Sequence, residues 1–246
     1  MGEIIAVLSG KGGTGKTSSC SGIAVALAGS GLRVLCVDCD VGLRNLDISL
    51  GMSDTGTLSF LDVCSGNYGV ELAPRHPAYP TLSFLTAPMN YPIGEIDVDA
   101  FCAFLTHSRK AFDYILLDAP AGVDAGFRLV TAAADRFVLV TGPGPAAIRD
   151  AARVGELLEI AGKKEVRLIV NRISKPMLSA LRVTVDDVMD SAGLPLLGIV
   201  LEDTSVPLAA AFGRCIHDYA PKSDAAKAFR RIARRIQGIP EPIRLR

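Results

Sequence analysis

Apolar positions along the chain fall into two alternating patterns. Short unbroken runs rich in β-branched residues occupy 3–9 (EIIAVLS), 32–38 (LRVLCVD), 82–87, 113–118, 136–141, 166–171 (VRLIVN) and 196–201. Between them lie longer stretches with helical spacing at 16–29, 98–110, 145–161, 184–192 and 223–237. Strands that read as continuous apolar runs are buried on both faces, and parallel neighbours need a helix as the crossover. The expected fold class is α/β: a doubly wound, mostly parallel sheet with helices on both faces. Residues 64–96 break the pattern, because Pro74, Pro77, Pro80, Pro88 and Pro92 stop helices there. That region reads as surface loop around one strand.

The 246 residues suffice for one large domain, expected over 1–238, with 239–246 as a C-terminal extension. No apolar run approaches the ~20 residues that span a bilayer, and the N-terminus enters a strand pattern without a charged leader, so a cytoplasmic protein is expected. The 26 basic residues balance 26 acidic ones, which leaves no global field for nucleic acid. Charge is local instead. Lys222, Lys227, Arg230, Arg231, Arg234, Arg235, Arg244 and Arg246 face only Asp224 and Glu241 in 222–246, so 1–221 is net negative. Cys36 and Cys39 spell C-x-x-C, but an i, i+3 pair at a strand end points to opposite faces, which favours core packing over a redox or metal role.

The segment 9–17, SGKGGTGKT, follows a strand and opens a helix, the context a phosphate-binding loop requires. Gly10, Gly12, Gly13 and Gly15 allow a tight turn whose backbone N–H groups, with those of Thr14 and Ser18, converge on phosphate at a helix N-terminus. Lys16 is expected to reach the β and γ phosphates and Thr17 to offer its hydroxyl to Mg²⁺. Asp38 and Asp40 end one strand and Asp118 another, at the edge of a parallel sheet where ligands bind. Two acids after a strand can equally cap a turn.

The run GKGGTGKT, with its second lysine at Lys11, resembles the signature of the MinD/ParA family of deviant Walker A ATPases, P-loop NTPases of the SIMIBI type. The resemblance runs from residue 3 to about 245. It implies an ATP- and Mg²⁺-dependent homodimer in which Lys11 reaches across to the partner's phosphates, so that Lys11, Lys16 and Asp40 are catalytic. By the same resemblance Asp40 orients the attacking water, Asp38 supports Mg²⁺ through water, and Asp118 is the Walker B acid that holds the metal's water shell. Asn171, in the strand-end VNR, corresponds to the asparagine that meets the adenine edge. Glu202 and Asp203, in LLGIVLEDTSV at 196–206, correspond to acids beside the base, although Leu201 stands where the family usually has proline.

Within the family, GLRNLD at 42–47 and DAPAGVDAGF at 118–127 resemble the MinD branch, whereas partitioning relatives carry D-P-Q-G-N after the same strand. That branch implies a switch governing the division septum, with MinC-like and MinE-like partners and no specific nucleic acid. Other positioning ATPases, for flagella or partitioning, and a nucleotide-gated binding module with vestigial hydrolysis remain alternatives. Ala225, Phe229, Ile232, Ala233 and Ile236 make one apolar stripe on the last helix. A basic amphipathic helix can lie on anionic lipid. A narrow stripe also suits docking on the sheet, and the chain carries no further helix pattern after it. The expectation is a docked helix and only weak, peripheral contact with the inner face of the cell membrane.

Overall fold

The computed structural model describes residues 1–55, 58–89 and 91–243. It begins with β1 (Glu3–Leu8), α1 (Lys16–Ala28) and β2 (Val34–Asp38), then two short helices, α2 (Leu46–Leu50) and α3 (Phe60–Cys64). A 3₁₀ turn at Val70–Leu72 precedes β3 (Leu82–Leu85), and a second at Ile93–Glu95 precedes α4 (Val98–Ser108) and β4 (Tyr114–Asp118). The chain continues through α5 (Ala125–Ala133), β5 (Arg136–Thr141), α6 (Pro145–Ile160), β6 (Val166–Ile173), α7 (Lys175–Leu181) and α8 (Val185–Ala192). It ends with β7 (Leu196–Leu201), α9 (Ser205–Ala211), α10 (Ile216–Tyr219) and α11 (Asp224–Ile236).

The strands form one sheet in the order β3-β2-β4-β1-β5-β6-β7, and every neighbouring pair is parallel. Helices cover both faces, as the apolar runs require, and each face has its own core. Phe101, Phe104, Phe127 and Val188 fill one side; Ile23, Leu27, Phe229 and Ile232 fill the other. Cys36 and Cys39 are both fully buried, one in each core, so their C-x-x-C spacing is packing.

All five residues of the stripe on α11 are buried, Ile232 to 1% exposure. The helix packs on α1, where a Cβ at Gly22 would come within 2.3 Å of the Phe229 ring. Burying Phe229, Ile232 and Ile236 is worth roughly 1.5–3 kcal/mol each, so the helix is held firmly. Its arginines also work within the chain. Arg235 Nη1 donates to Leu197 O at 2.6 Å and Nε to Glu241 O at 2.9 Å, while Arg234 Nε lies 2.6 Å from Glu241 Oε1. These contacts fold 239–243 back along α11; Arg244, Leu245 and Arg246 of the expected extension lie outside the described residues.

The short helices α2, α3, α7, α9 and α10, and the longer α5, were not among the elements expected from the pattern. Helices of four to nine residues show too little periodicity to be read. Side-chain caps hold short helices of both kinds, expected and unexpected. Ser59 and Asp62 form a reciprocal capping box on α3, and Thr184 and Asp187 do the same on α8.

Candidate functional site

Strand β1 lies between β4 and β5, and the chain winds outward from it in both directions, so the carboxyl end of β1 opens on the crevice where α/β sheets bind ligands. The turn from β1 to α1 is the expected loop. Gly15 precedes α1 with φ 86°, and a Cβ there would come within 2.1 Å of Asn171 Nδ2, so the position requires glycine twice over. Gly10 packs against the backbone of Asp150 on α6. Gly12, Gly13 and Lys11 are exposed, Thr14 and Lys16 buried, and Thr17 and Ser18 half-buried on the first turn of α1.

Lys16 Nζ lies 2.7 Å from Asp118 Oδ1, and the two side chains are 7% and 1% exposed. Burial alone would lower the lysine's pKa, but the charge and hydrogen bond of Asp118 outweigh it and raise it, so the ammonium is secure. Asp38 is the register partner of Asp118 on the neighbouring strand. Burial, then the charge of Asp118, pushes its carboxyl up to about 7, against the lowering effect of N–H donations from Asp40 and Leu46. Those donations, at 2.9 and 3.2 Å, also brace the segment between β2 and α2. Asp40 begins that segment, and its Oδ1 accepts from Leu43 N at 3.3 Å, so it does cap a turn there. Its charge also falls on Lys16.

On the other side of the loop, Asn171 is 5% exposed and Nδ2 donates to Thr14 O at 2.8 Å. Glu202 pairs with Arg172 at 3.2 Å. Asp203 Oδ1 accepts from Ser205 N and Oδ2 from Ala225 N, which caps α9 and α11 at once. Burial would raise the Asp203 carboxyl, but these backbone donors hold it below its usual value. Its carboxylate is therefore committed to backbone and reaches the site chiefly as wall. Asn171, Glu202 and Asp203 line a cavity of about 200 Å³ with Gly15, Ser18, Val206, Pro207 and Phe229. Every residue expected at the site thus lies along the carboxyl edge of the sheet.

The donors suit an anion with a hard cation. Among the described residues, Ser9 Oγ and Thr14 Oγ1 are the buried side-chain oxygens without a hydrogen-bond partner, and both belong to the loop. Two neighbouring carboxylates, Asp38 and Asp118, repel one another beside the Thr17 hydroxyl, an all-oxygen set that fits Mg²⁺. A wider cleft of about 580 Å³ between α1 and α11, lined by Tyr79, His217, Arg230 and Arg234, contains none of the expected residues. His76, Cys215 and Asp218 also cluster, but both nitrogens of His76 are engaged by backbone, so the cluster is a hydrogen-bonded brace.

Residues 5–216 match the CobQ/CobB/MinD/ParA nucleotide binding domain. The chain belongs to the MinD/ParA family. It is 35% identical to the septum site-determining protein MinD of Synechocystis over 240 residues, covering 97% of this chain and 90% of that one. With MinD of Bacillus subtilis the identity is 34% over 249 residues, covering 100% and 92%. The MinC:MinD cell division complex of Aquifex aeolicus contains a chain that superposes with a TM-score of 0.90 at 33% identity, covering 98% of each chain. MinD of Pyrococcus horikoshii, solved with Mg-ADP, superposes with a TM-score of 0.83 at 28% identity over 96% of each. The likeness is to the MinD branch along nearly the whole chain, which makes this a MinD-like member of the MinD/ParA family. Among the described residues, no helix is long and apolar enough to cross a membrane.

Two residues were not among those expected. Arg44, within GLRNLD, has φ 42° and donates from Nε to Thr86 Oγ1 at 3.0 Å. Arg172, next to Asn171, has φ 58° and donates from Nη1 to Gly13 O at 3.0 Å. Left-handed backbone at an arginine is invisible in the sequence; the only signal was adjacency to a motif.

Proposed function

We propose that the chain is a MinD-like ATPase, a switch that dimerises on binding ATP, hydrolyses it slowly and helps place the division septum. The observation that carries this reading is the contrast between the two lysines of one loop. Lys16 is buried against Asp118, while Lys11 is exposed and available to a second protomer. In this reading the N–H groups of the loop and of the first turn of α1 bind phosphate, and Lys16 neutralises it. Thr17, with water ordered by Asp38 and Asp118, would hold Mg²⁺, which when bound neutralises charge on the phosphate oxygens. Asp40 orients the attacking water, and Asn171 and Glu202 meet the base, with Asp203 behind them. Lys11 crosses to the partner's phosphates and stabilises charge that develops in transfer.

The partners proposed are a second copy of this chain, a MinC-like inhibitor and a MinE-like regulator. The structure of an Aquifex aeolicus relative with MinC supports the first regulator. The proposed location is the cytoplasm, with weak peripheral contact at the membrane. The test is molar mass by light scattering with ADP and with ATP, alongside turnover of ATP, and septum position in cells depleted of the protein. An ATP-specific dimer, slow turnover and misplaced septa are expected. A monomer in ATP, or normal septa after depletion, would overturn the reading.

A further inference from the structure

Asn171 and Arg172 grip adjacent carbonyls of the phosphate loop: Asn171 Nδ2 donates to Thr14 O at 2.8 Å, and Arg172 Nη1 to Gly13 O at 3.0 Å. A planar trans peptide points its C=O and its N–H in opposite directions. Holding the Gly13 carbonyl outward therefore turns the Thr14 N–H inward, and holding the Thr14 carbonyl does the same for the Gly15 N–H. Two side chains outside the loop thus set the direction of two loop N–H donors that the nucleotide reading aims at phosphate.

Arg172 has a second attachment. Its guanidinium lies 3.2–3.3 Å from Glu202, at the end of β7, and both side chains line the base-side cavity. The backbone is shaped for this double reach. Arg172 has φ 58°, within the register break between Val170 and Ile173 where β6 pairs with β7, and Glu202 N donates to Ile173 O at 2.8 Å. A left-handed arginine is strained, and such strain persists where surrounding contacts over-determine it.

We propose that Arg172 is a positioning residue that couples the base side of the cavity to the phosphate loop. A base seated against Glu202 steadies Arg172, and Arg172 steadies the Gly13 carbonyl, so phosphates carried by a nucleotide are held more tightly than the same phosphates alone. The inference rests on the nucleotide reading above and adds to it a path between the two halves of the ligand.

The experiment is calorimetry with Mg-ADP and with Mg-pyrophosphate on the parent, Arg172→Gly, Arg172→Lys, Glu202→Gln and the Arg172→Gly/Glu202→Gln double variant. Glycine adopts φ 58° without strain, so Arg172→Gly should melt no lower than the parent. It should bind pyrophosphate about tenfold more weakly, the scale of one lost charge-assisted hydrogen bond, and Mg-ADP more weakly still, because the coupling to the base side is lost as well. Glu202→Gln should weaken Mg-ADP but not pyrophosphate, and should weaken Mg-ADP less in the Arg172→Gly background than in the parent. Arg172→Lys keeps a donor for Gly13 O but lacks the fork that reaches Gly13 and Glu202 through different nitrogens, so it should restore pyrophosphate affinity more than Mg-ADP affinity. Parent-like affinities in Arg172→Gly would overturn the proposal. So would a lower melting temperature with unchanged affinity, or a Glu202→Gln effect that persists in full without the arginine. A parent that fails to bind Mg-ADP would instead sink the nucleotide reading itself.

Discussion

Lys16 on α1 and Asp118 at the end of β4 form a buried ion pair, 2.7 Å from Nζ to Oδ1, across the floor of the phosphate loop. The pair joins the helix that presents the loop to the strand beside it. Lys16→Gln removes the cation proposed to neutralise the β and γ phosphates, and no other side chain in the loop is buried and basic. Mg-ADP binding should fall below detection in calorimetry. The same change leaves the Asp118 carboxylate without its charge partner, which costs roughly 3–5 kcal/mol when a buried pair is broken. A clearly lower melting temperature is therefore expected alongside lost binding. Micromolar affinity in the variant would remove the loop from the mechanism.

Lys11 should behave oppositely. Its side chain is exposed, so Lys11→Ala should melt like the parent and bind ADP nearly as well. What it should lose is the ATP-dependent dimer and the turnover that depends on it, because the proposed trans contact would be made only between two protomers. A Lys11→Ala variant that still dimerises in ATP would show that the second lysine acts only on its own nucleotide.

In the proposed mechanism Asp40 separates binding from chemistry. Asp40→Asn can still accept the Leu43 N–H that closes its turn, so the segment between β2 and α2 should stay in place. Water orientation acts on the transition state, so ATP binding and dimerisation should survive while turnover falls by about 10²- to 10⁴-fold. Unchanged turnover would move the role to another residue, with Asp38 next in line.

Much of this site could be read from the chain because it is built from local pieces. The loop at 9–17 carries its own glycines and lysines, and the strands are legible because burial on both faces leaves unbroken apolar runs. What could not be read depends on contacts far apart in sequence. Asn171 meets Thr14 across 157 positions, and Arg172 meets Gly13 across 159. Helix α2 begins under the Asp38 carboxylate, which accepts the Leu46 N–H, so its start is set by a strand end rather than by its own five residues. Asp203 was expected beside the base on family likeness alone. Only the packing of α9 and α11 reveals that its oxygens are spent on their N-termini.

Two buried histidines, His76 and His217, are expected to add an acid-sensitive component to the stability. His217 Nε2 contacts Gly22 O at 2.9 Å and Nδ1 faces Arg230 Nη1 at 3.1 Å, so the neutral ring carries its proton on Nε2. His76 is arranged alike: Nε2 donates to Leu50 O, and Nδ1 accepts from Ala78 N and Tyr79 N. Burial first, and for His217 the Arg230 charge as well, lowers both below the ordinary 6.5, despite Asp218 nearby. A histidine with a lowered folded pKa contributes stability that is fully present above its unfolded value and is lost as pH falls through the folded one. Asp38, raised to about 7 chiefly by burial, gains stability over the same fall in pH, so the histidines show as a difference: below about pH 6.5 a His76→Gln/His217→Gln variant should have a flatter acid limb than the parent. Parallel acid limbs would show that the carboxylates account for the whole loss.

Helix α11 bears on the proposed peripheral contact with a membrane. Ile232 is 1% exposed in the core beneath α11, and the arginines that could grip anionic lipid are partly engaged by Leu197, Glu241, His217 and Pro221. A stripe already buried in the fold cannot enter a bilayer without undocking, at a cost of several buried side chains. Among the described residues Lys222 and Arg231, with Lys227 paired loosely to Asp224 at 3.6 Å, can supply surface attraction, which is screened by salt. Co-sedimentation with anionic vesicles should therefore be weak in ADP and in ATP, and should vanish at high salt. Ile232→Glu should lower the melting temperature sharply, because it buries a carboxylate without a partner. Strong ATP-dependent sedimentation that Ile232→Glu abolishes without changing the melting temperature would mean that α11 leaves the sheet to bind lipid, and that its docked position is only one of two states.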